Sequence, residues 1–384
     1  HWRTHKMSQT KVEAPFVEKV HHFKNLIYNG GMKIWQRTTS ATTIPAGEVS
    51  TVDRWIMSEG TGGSATSEYD LLSDADRATT GHSYALELNC TGADTSIAAT
   101  DRSYIYHSVE AQNCQHLKYG SSAAETLTLS FWVKSNLTGN FPLTLKQEDN
   151  TSYYLPLSYT INSANTWEQK VVQISPTAGS TSLITSSNGV INNDNGRGLM
   201  LFFGLVWGSN YTGSQSGTPT WTSSAYYADS DITFVNFYSS TSNNLYITGV
   251  QLEVGDQATE FEHVSQDVEL RRAQRYFYKH TDPLSSDNEP ICIGAYYSSS
   301  QVNGVIHFPV TMRASPSLIC TDASTHFRVY RNSGGDTADN WSAGNITRNA
   351  AEIYNNSDVS GTAGHGCTIT TDDAAASISF SAEI

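Results

Sequence analysis

From Leu127 to Lys134 apolar and polar residues alternate one by one, with Leu127, Leu129, Phe131 and Val133 on one parity and Thr128, Ser130, Trp132 and Lys134 on the other. A period of two predicts a strand with one buried face. Tyr84, Leu86 and Leu88 repeat the pattern. Leu199 to Val206 is apolar on both parities, which predicts a strand at the centre of a sheet covered on both sides. From Leu245 to Val254 the pattern carries a defect. Leu245 and Ile247 share one parity, Val250, Leu252 and Val254 the other, and the face changes at Gly249, where a bulge costs least. Beyond Ser265 the spacing turns helical. Ser265 is placed to cap, Asp267 and Glu269 suit the positive end of a helix, and Leu270, Ala273 and Phe277 recur at roughly helical intervals.

Turn-rich segments such as Ser58 to Ser67 and Ser186 to Gly198 separate the strands at irregular intervals. Many strands without a fixed repeat argue for a β-sandwich and against a β-helix or a propeller. The charged, proline-containing stretch His280 to Pro290 reads as a linker or surface loop. After it, Ile291 to Tyr297, Gly304 to Phe308, Ser317 to Cys320, His326 to Tyr330 and Ser377 to Ala382 read as strands of a second, smaller sandwich. Its low content of Leu and Ile predicts support from neighbours, expected to be copies of itself. The expected organisation is a segment over residues 1–24, a first domain over 25–263, and a helix plus second sandwich over 264–384.

Several motifs carry a resemblance. Residues 246–278 read YITGVQLEVGDQATEFEHVSQDVELRRAQRYFY. This resembles a sequence of tail-fibre and other receptor-binding proteins of bacteriophages, in which a closing strand "TGVQLE.G..AT.FE" precedes "EL..CQRYY". The Cys of that pattern is Ala273 here, while Gln274, Arg275 and Tyr276 are retained. NLIYNGGMKIWQR at Asn25 to Arg37, followed by Asp53, Arg54 and Trp55, is similar to that family's opening. TLTLSFWVKS ending at Ser135, the NTW of Asn165 to Trp167, FPVTMRASP at Phe308 to Pro316, and Ala382, Glu383, Ile384 follow in the family's order. The resemblance covers nearly all of residues 25–384 and is weakest from Cys320 to Gly366. It implies an all-β chain: a jelly-roll β-sandwich like those of carbohydrate-binding modules, a short connecting helix and a smaller C-terminal β-sandwich. It also implies a homotrimer, partners among other virion tail proteins reached through the N-terminal segment, and a host cell-surface polysaccharide as target.

Of the 384 residues only 16% are charged, against about 25% in ordinary globular proteins. A surface solubilised by Ser, Thr, Asn and Gly suits an all-β protein working outside a cell. The formal charge of -14 argues against nucleic acid, whose nonspecific binding depends on neutralising phosphates. The longest apolar run, Leu199 to Trp207, is far short of the ~20 residues of a membrane span, so no membrane insertion is expected. No signal peptide is visible, which favours release by lysis and a location in the virion tail. Cys90, Cys114, Cys292, Cys320 and Cys367 are odd in number and contain no C-x-x-C pair. Buried free thiols are the default reading, with a Cys90–Cys114 disulfide the alternative.

The richest candidate binding surface is Trp207 to Asp231, where Trp207, Tyr211, Trp221, Tyr226 and Tyr227 sit in a scaffold of Ser, Gly and Thr. Rings stack on sugar C–H faces, and such loops make adaptable contacts at low entropy cost. Trp221 is the member for which core packing is the stronger reading. A second group, His326, Phe327, Arg328, Tyr330, Arg331 and Trp341, offers guanidinium forks to an acidic polysaccharide, against the plainer reading of an ordinary strand with solvated arginines. No cofactor is expected. The residual candidate is calcium at Asp229 and Asp231, two acids where about six to eight oxygens are needed. No nucleophile elbow, zinc helix or P-loop is present, and no carboxylate pair is singled out for glycoside hydrolysis. The sequence therefore predicts a non-enzymatic adhesive component of a phage particle. Its rivals are a polysaccharide depolymerase and a head-decoration or collar protein that binds no sugar.

Overall fold

The computed structural model describes residues 24–384 apart from 39, 46, 47, 282–287, 324 and 333. The attachment segment expected at residues 1–24, with His21 and His22, thus lies outside the described residues except for Lys24. Along the first part of the chain run β1 (Thr42–Thr43), β2 (Glu48–Val49), β3 (Trp55–Gly60), β4 (Ser64–Leu71), β5 (Tyr84–Gly92), β6 (Arg102–Glu110) and β7 (Leu127–Ser135). They are followed by β8 (Gly139–Gln147), β9 (Tyr153–Ile161), β10 (Glu168–Ile174), β11 (Arg197–Trp207), β12 (Thr212–Gly213), β13 (Ala228–Asp229) and β14 (Asn244–Val254). Two antiparallel sheets result, β1-β4-β5-β14-β7-β10 and β2-β3-β6-β11-β8-β9, with one hydrophobic core drawn from both. This is the jelly-roll β-sandwich.

The strand patterns explain the layers. Leu127, Leu129, Phe131 and Val133 of β7 point into the core. β11 lies inside its sheet and is buried along nearly its whole length, as expected of a strand apolar on both parities. The polar parity of β7 is less exposed than alternation predicts. Thr128 and Ser130 are buried, because the chain after β14 returns over them: Thr128 Oγ1 donates to Gly255 O (2.8 Å), and Glu253 accepts the Thr259 N–H (2.9 Å). At Gly249 the register of β14 against β7 slips between Thr248 and Gln251, and the backbone takes φ +61°. A Cβ there would lie 2.3 Å from His82 Nε2, so glycine is required twice over.

Two α-helices are short: α1 (Asp74–Thr80) and α2 (Gln266–Gln274). No helix among the described residues is long and apolar enough to cross a membrane. Ser265 occupies the N-cap of α2, but its hydroxyl donates to Asp267 Oδ1 (2.5 Å) rather than accepting a backbone N–H. The helix ends before Phe277, which starts the next strand. β15 (Phe277–Lys279), β16 (Pro290–Ser298), β17 (Gln301–His307), β18 (Ser317–Cys320) and β19 (Phe327–Arg331) lead into β20 (Gly334–Ala338), β21 (Ser342–Gly344), β22 (Ala350–Asn355), β23 (Gly366–Thr371) and β24 (Ile378–Ser381). A three-stranded sheet β15-β24-β18 and a seven-stranded sheet β20-β19-β23-β16-β17-β22-β21 enclose a second hydrophobic core, completing the smaller β-sandwich.

The motifs quoted above meet at one junction between the two cores. Arg37 reaches Asp53 (2.6 Å) and Glu383 (2.9 Å), while Arg54, fully buried, pairs with Glu383 and stacks 3.5 Å from the Tyr276 ring. Arg275 forms a fork with Glu110 at 2.7 and 2.8 Å. Arg313 donates to Asn195 O and Ala382 O, both at 2.8 Å. Gln36 donates to Phe277 O (2.9 Å). Buried guanidiniums demand such partners, since an unpaired charge in this setting costs several kcal/mol, about 3–5 for one broken partner. All five thiols are free, and the alternative Cys90–Cys114 disulfide does not form.

Candidate functional site

The outer face of the sheet containing β11 is built by register. Across it Ile56 lies beside Tyr106, Tyr106 beside Phe202, and Phe202 beside Thr144. One step along, Ser58 neighbours Tyr104 and Tyr104 neighbours Gly204; one step the other way, Met200 neighbours Lys146 and Lys146 neighbours Tyr154. Ile56, Tyr106, Met200 and Phe202 form an apolar cluster of their own, with Tyr104 and Tyr227 packed against it. Solvent-side apolar residues thus continue the double burial of β11.

Trp207 stands over this floor. β11 has an irregular register against β6 between Gly204 and Val206, and the missing side chain of Gly204 admits the indole, whose Nε1 lies 2.3 Å from where a Cβ would be. The indole is stacked between Tyr104 (5.1 Å, 10°) and Tyr227 (4.4 Å, 18°). Its Nε1–H is buried and has no acceptor among the described residues. Tyr227 is delivered by the loop that follows β11. The Tyr227 N–H donates to Tyr211 O (2.8 Å), and Thr144 Oγ1 donates to Tyr227 O (2.5 Å). Burial, then the neighbouring Tyr154, raises the Tyr227 phenol above its ordinary value, so it stays protonated and can donate.

These rings bound a recess of about 140 Å³, also lined by Glu48, Arg102, Lys146 and Arg197. The volume admits a substituent of a sugar ring, or one edge of the ring. Lys146 is paired with Glu148 and lies 5.0 Å from the Tyr154 ring. Arg102 lies over Tyr211 (5.4 Å) and Arg197 over Tyr106 (6.0 Å). Buried aromatic faces with a few convergent polar groups are the usual composition of a ligand site.

The candidates read from the sequence are distributed as follows. Tyr211 and Tyr227 belong to this recess or its rim. Tyr226 is half-buried, its ring lying over Gly213 where a Cβ would be 2.2 Å away. Trp221 has the core role that was its stronger reading and is corrected only as a glycan candidate: it is 1% exposed in the first core and donates Nε1–H to Ser175 O (2.9 Å), so it presents no face to a ligand. Trp341 is corrected likewise, being buried in the second core beside Phe327. Arg328 and Arg331 lie in the second sandwich, away from the loop tyrosines. Arg328 pairs with Asp372 (3.2 Å), and Arg331 with Asp336 (3.1 Å) and the Tyr296 hydroxyl (3.0 Å). Asp229 and Asp231 organise the loop itself: Asp229 accepts the N–H of Gln215 (2.9 Å), Gly217 (3.2 Å) and Asp231 (3.0 Å), and Asp231 that of Ser216 (2.8 Å). Among the described residues no three His, Cys, Asp or Glu side chains are grouped to hold a metal ion. Sequence reasoning missed Tyr104, Tyr106, Phe202, Arg102 and Arg197. The signal was present in RSYIYHS, where Tyr104 and Tyr106 share a parity opposite to the apolar Ile105.

A second recess, about 250 Å³, lies on the other sheet at the Gly249 bulge, lined by His82, Trp132, Gln169, Phe261 and His263 among others. His82 packs edge-on to Phe261 (4.6 Å) and lies 5.4 Å from His263. Burial, with help from His263 and Lys33, lowers its pKa to about 4.

No protein-family model matches the chain, and no curated protein sequence matches it. Among solved structures it is similar to a Bacteroides thetaiotaomicron protein classed provisionally as sugar-binding, at 12% identity and TM-score 0.33, over 60% of this chain and 100% of that one. It is similar to the enzymatically active domain of tailspike protein 4 from bacteriophage CBA120, at 10% identity and TM-score 0.28, over 61% of this chain and only 22% of that one. A family 11 carbohydrate-binding module from a Clostridium thermocellum cellulosomal cellulase matches at 11% identity and TM-score 0.28, over 56% of this chain and 98% of the module. The sandwich assignment rests on the strand pairing itself.

Proposed function

We propose that this chain is a non-catalytic adhesive protein of a phage particle, a tail-fibre or tail-tip component that holds a host surface glycan in the recess beneath Tyr227. The observation that carries the reading is the Tyr104–Trp207–Tyr227 stack on the outer face of the jelly roll, which leaves a buried indole N–H without an acceptor beside a recess of about 140 Å³. Aromatic rings together with the polar groups of Arg102, Arg197 and Glu48 line it, the mixture that takes both C–H faces and hydroxyls of a sugar. The motifs resembling phage receptor-binding proteins support a place in the virion tail, with anchorage through the N-terminal residues.

A single shallow recess binds weakly, and presentation of several copies converts weak contacts into avidity. Trimerisation through the second sandwich fits this need. On the outer face of its seven-stranded sheet Ile293 is 74% exposed and lies beside Thr368, which lies beside Tyr330, with Val305 on the adjacent strand also exposed. Such a row is costly in water and suits contact with other copies of the same face.

The test is binding of the purified chain to host cells with free envelope polysaccharide as competitor. Polysaccharide is expected to displace the wild type, and Tyr227→Ala to lose at least tenfold in apparent affinity while keeping its β-sheet circular dichroism. Undiminished binding by Tyr227→Ala would remove this recess from the reading. Release of shortened chains from the polymer would favour the depolymerase.

A further inference from the structure

We infer that the recess selects acidic glycans, those carrying carboxylate or phosphate groups, with Arg102 and Arg197 as the two anion contacts. This deepens the reading above and rests on it. The chain is strongly acidic overall, 37 acids against 23 Lys and Arg, yet three cations converge on this one recess. Half of the described arginines are committed elsewhere: Arg37, Arg54, Arg77, Arg275, Arg328 and Arg331 all hold carboxylates. Arg102 and Arg197 hold none among the described residues.

The placement matters as much as the charge. Arg102 begins β6, and Arg197 begins the antiparallel β11, so the two enter the recess from opposite ends of one strand pair. Arg102 lies over Tyr211, and Arg197 over Tyr106. Arg102 pairs with Trp207 and Arg197 with Glu110, eight positions further along β6, so side chains from backbone sites about 26 Å apart converge on one recess. Each guanidinium lies near an aromatic ring and in no ion pair among the described residues, which leaves its fork available for bidentate contact with a carboxylate or phosphate. Lys146 adds little, since Glu148 already takes its charge. Glu48 lines the same recess and acts on the Tyr106 phenol, so it opposes an anion placed against it and limits the site to few anionic groups.

The experiment measures binding of the full chain to polygalacturonate, hyaluronan and polysialic acid, each beside its own carboxyl-reduced neutral form, at 50 and 300 mM salt as about two Debye regimes. At least one acidic polymer is expected to bind roughly tenfold more tightly than its reduced form, with that margin shrinking at high salt. Arg102→Gln and Arg197→Gln should each narrow the margin, Arg102→Lys should restore part of it, and Tyr227→Ala should weaken binding of both forms. If acidic and reduced forms bind equally and both are lost in Tyr227→Ala, the selectivity falls while the recess stands as a glycan site. If no polymer binds in either form, the glycan reading and this inference fall together. If the two glutamine variants retain the full margin, the anion contacts lie elsewhere and the assignment is overturned.

Discussion

His82 shows how one position joins several demands. Its ring fills the space that Gly249 leaves at the β14 bulge, and its Nδ1 is buried without a partner among the described residues. Burial lowers its pKa to about 4 against an ordinary 6.5. The unfolded chain therefore takes up a proton near pH 6.5 and the folded chain only near pH 4. Stability present above pH 6.5 is lost as pH falls through this window, on the order of 3 kcal/mol in full. His107 shifts in the same direction, through burial and then the charge of Arg54. Thermal melts at pH 7 and pH 4.5 are expected to show a steeper decline for the wild type than for His82→Gln, and equal slopes would refute the assignment. At this scale the sequence was partly legible. The parity change at Gly249 announced the bulge, but the clash awaiting any side chain there involves a residue 167 positions away in sequence, which no local pattern encodes.

At the scale of elements, the loop from β11 to β13 depends on the short β12–β13 pairing and on carboxylates that gather its N–H groups. Asp229→Ala is expected to leave the three amides of Gln215, Gly217 and Asp231 without their acceptor. Hydrogen exchange at those amides should accelerate and glycan binding should fall, while global stability changes by only about 1–3 kcal/mol. Exchange confined to its wild-type rate would show that the β12–β13 pair alone holds Tyr227 in place. The aromatic composition of this loop was plain in the sequence, and so was the two-sided burial of β11. Core packing was the stronger reading for Trp221, but which tyrosine turns to the recess was not plain. Trp221 and Tyr227 stand in the same Ser- and Thr-rich setting, yet one enters the first core and the other closes the recess, because only Trp221 finds a cavity and a carbonyl acceptor at Ser175. Strands β22 and β23 escaped notice for a related reason: their small and polar residues carry weak patterns that pairing in a seven-stranded sheet makes sufficient.

For the whole molecule, the junction of Arg37, Arg54, Tyr276 and Glu383 links the two sandwiches. Glu383→Gln leaves the buried Arg54 guanidinium without its carboxylate, at a cost of about 3 kcal/mol or more. Calorimetry is expected to resolve separate transitions for the two sandwiches in this variant where the wild type melts more cooperatively, and an unchanged profile would show that the coupling lies elsewhere. Ile293→Lys should turn the proposed trimer into monomers in light scattering, while a trimer that persists would place its contacts off this sheet. By itself the sequence determined the all-β class, the central position of β11, the bulge, the short helix and the set of motifs that travel together, because periodicity and backbone preference are properties of neighbours along the chain. Tertiary structure alone decided that those motifs form a charged junction and that Tyr104, Trp207 and Tyr227 meet. It also left Arg102 and Arg197 beside them without a carboxylate partner among the described residues. Side chains from distant strands become neighbours only when sheet register is set, and register is fixed by the packing of the whole core.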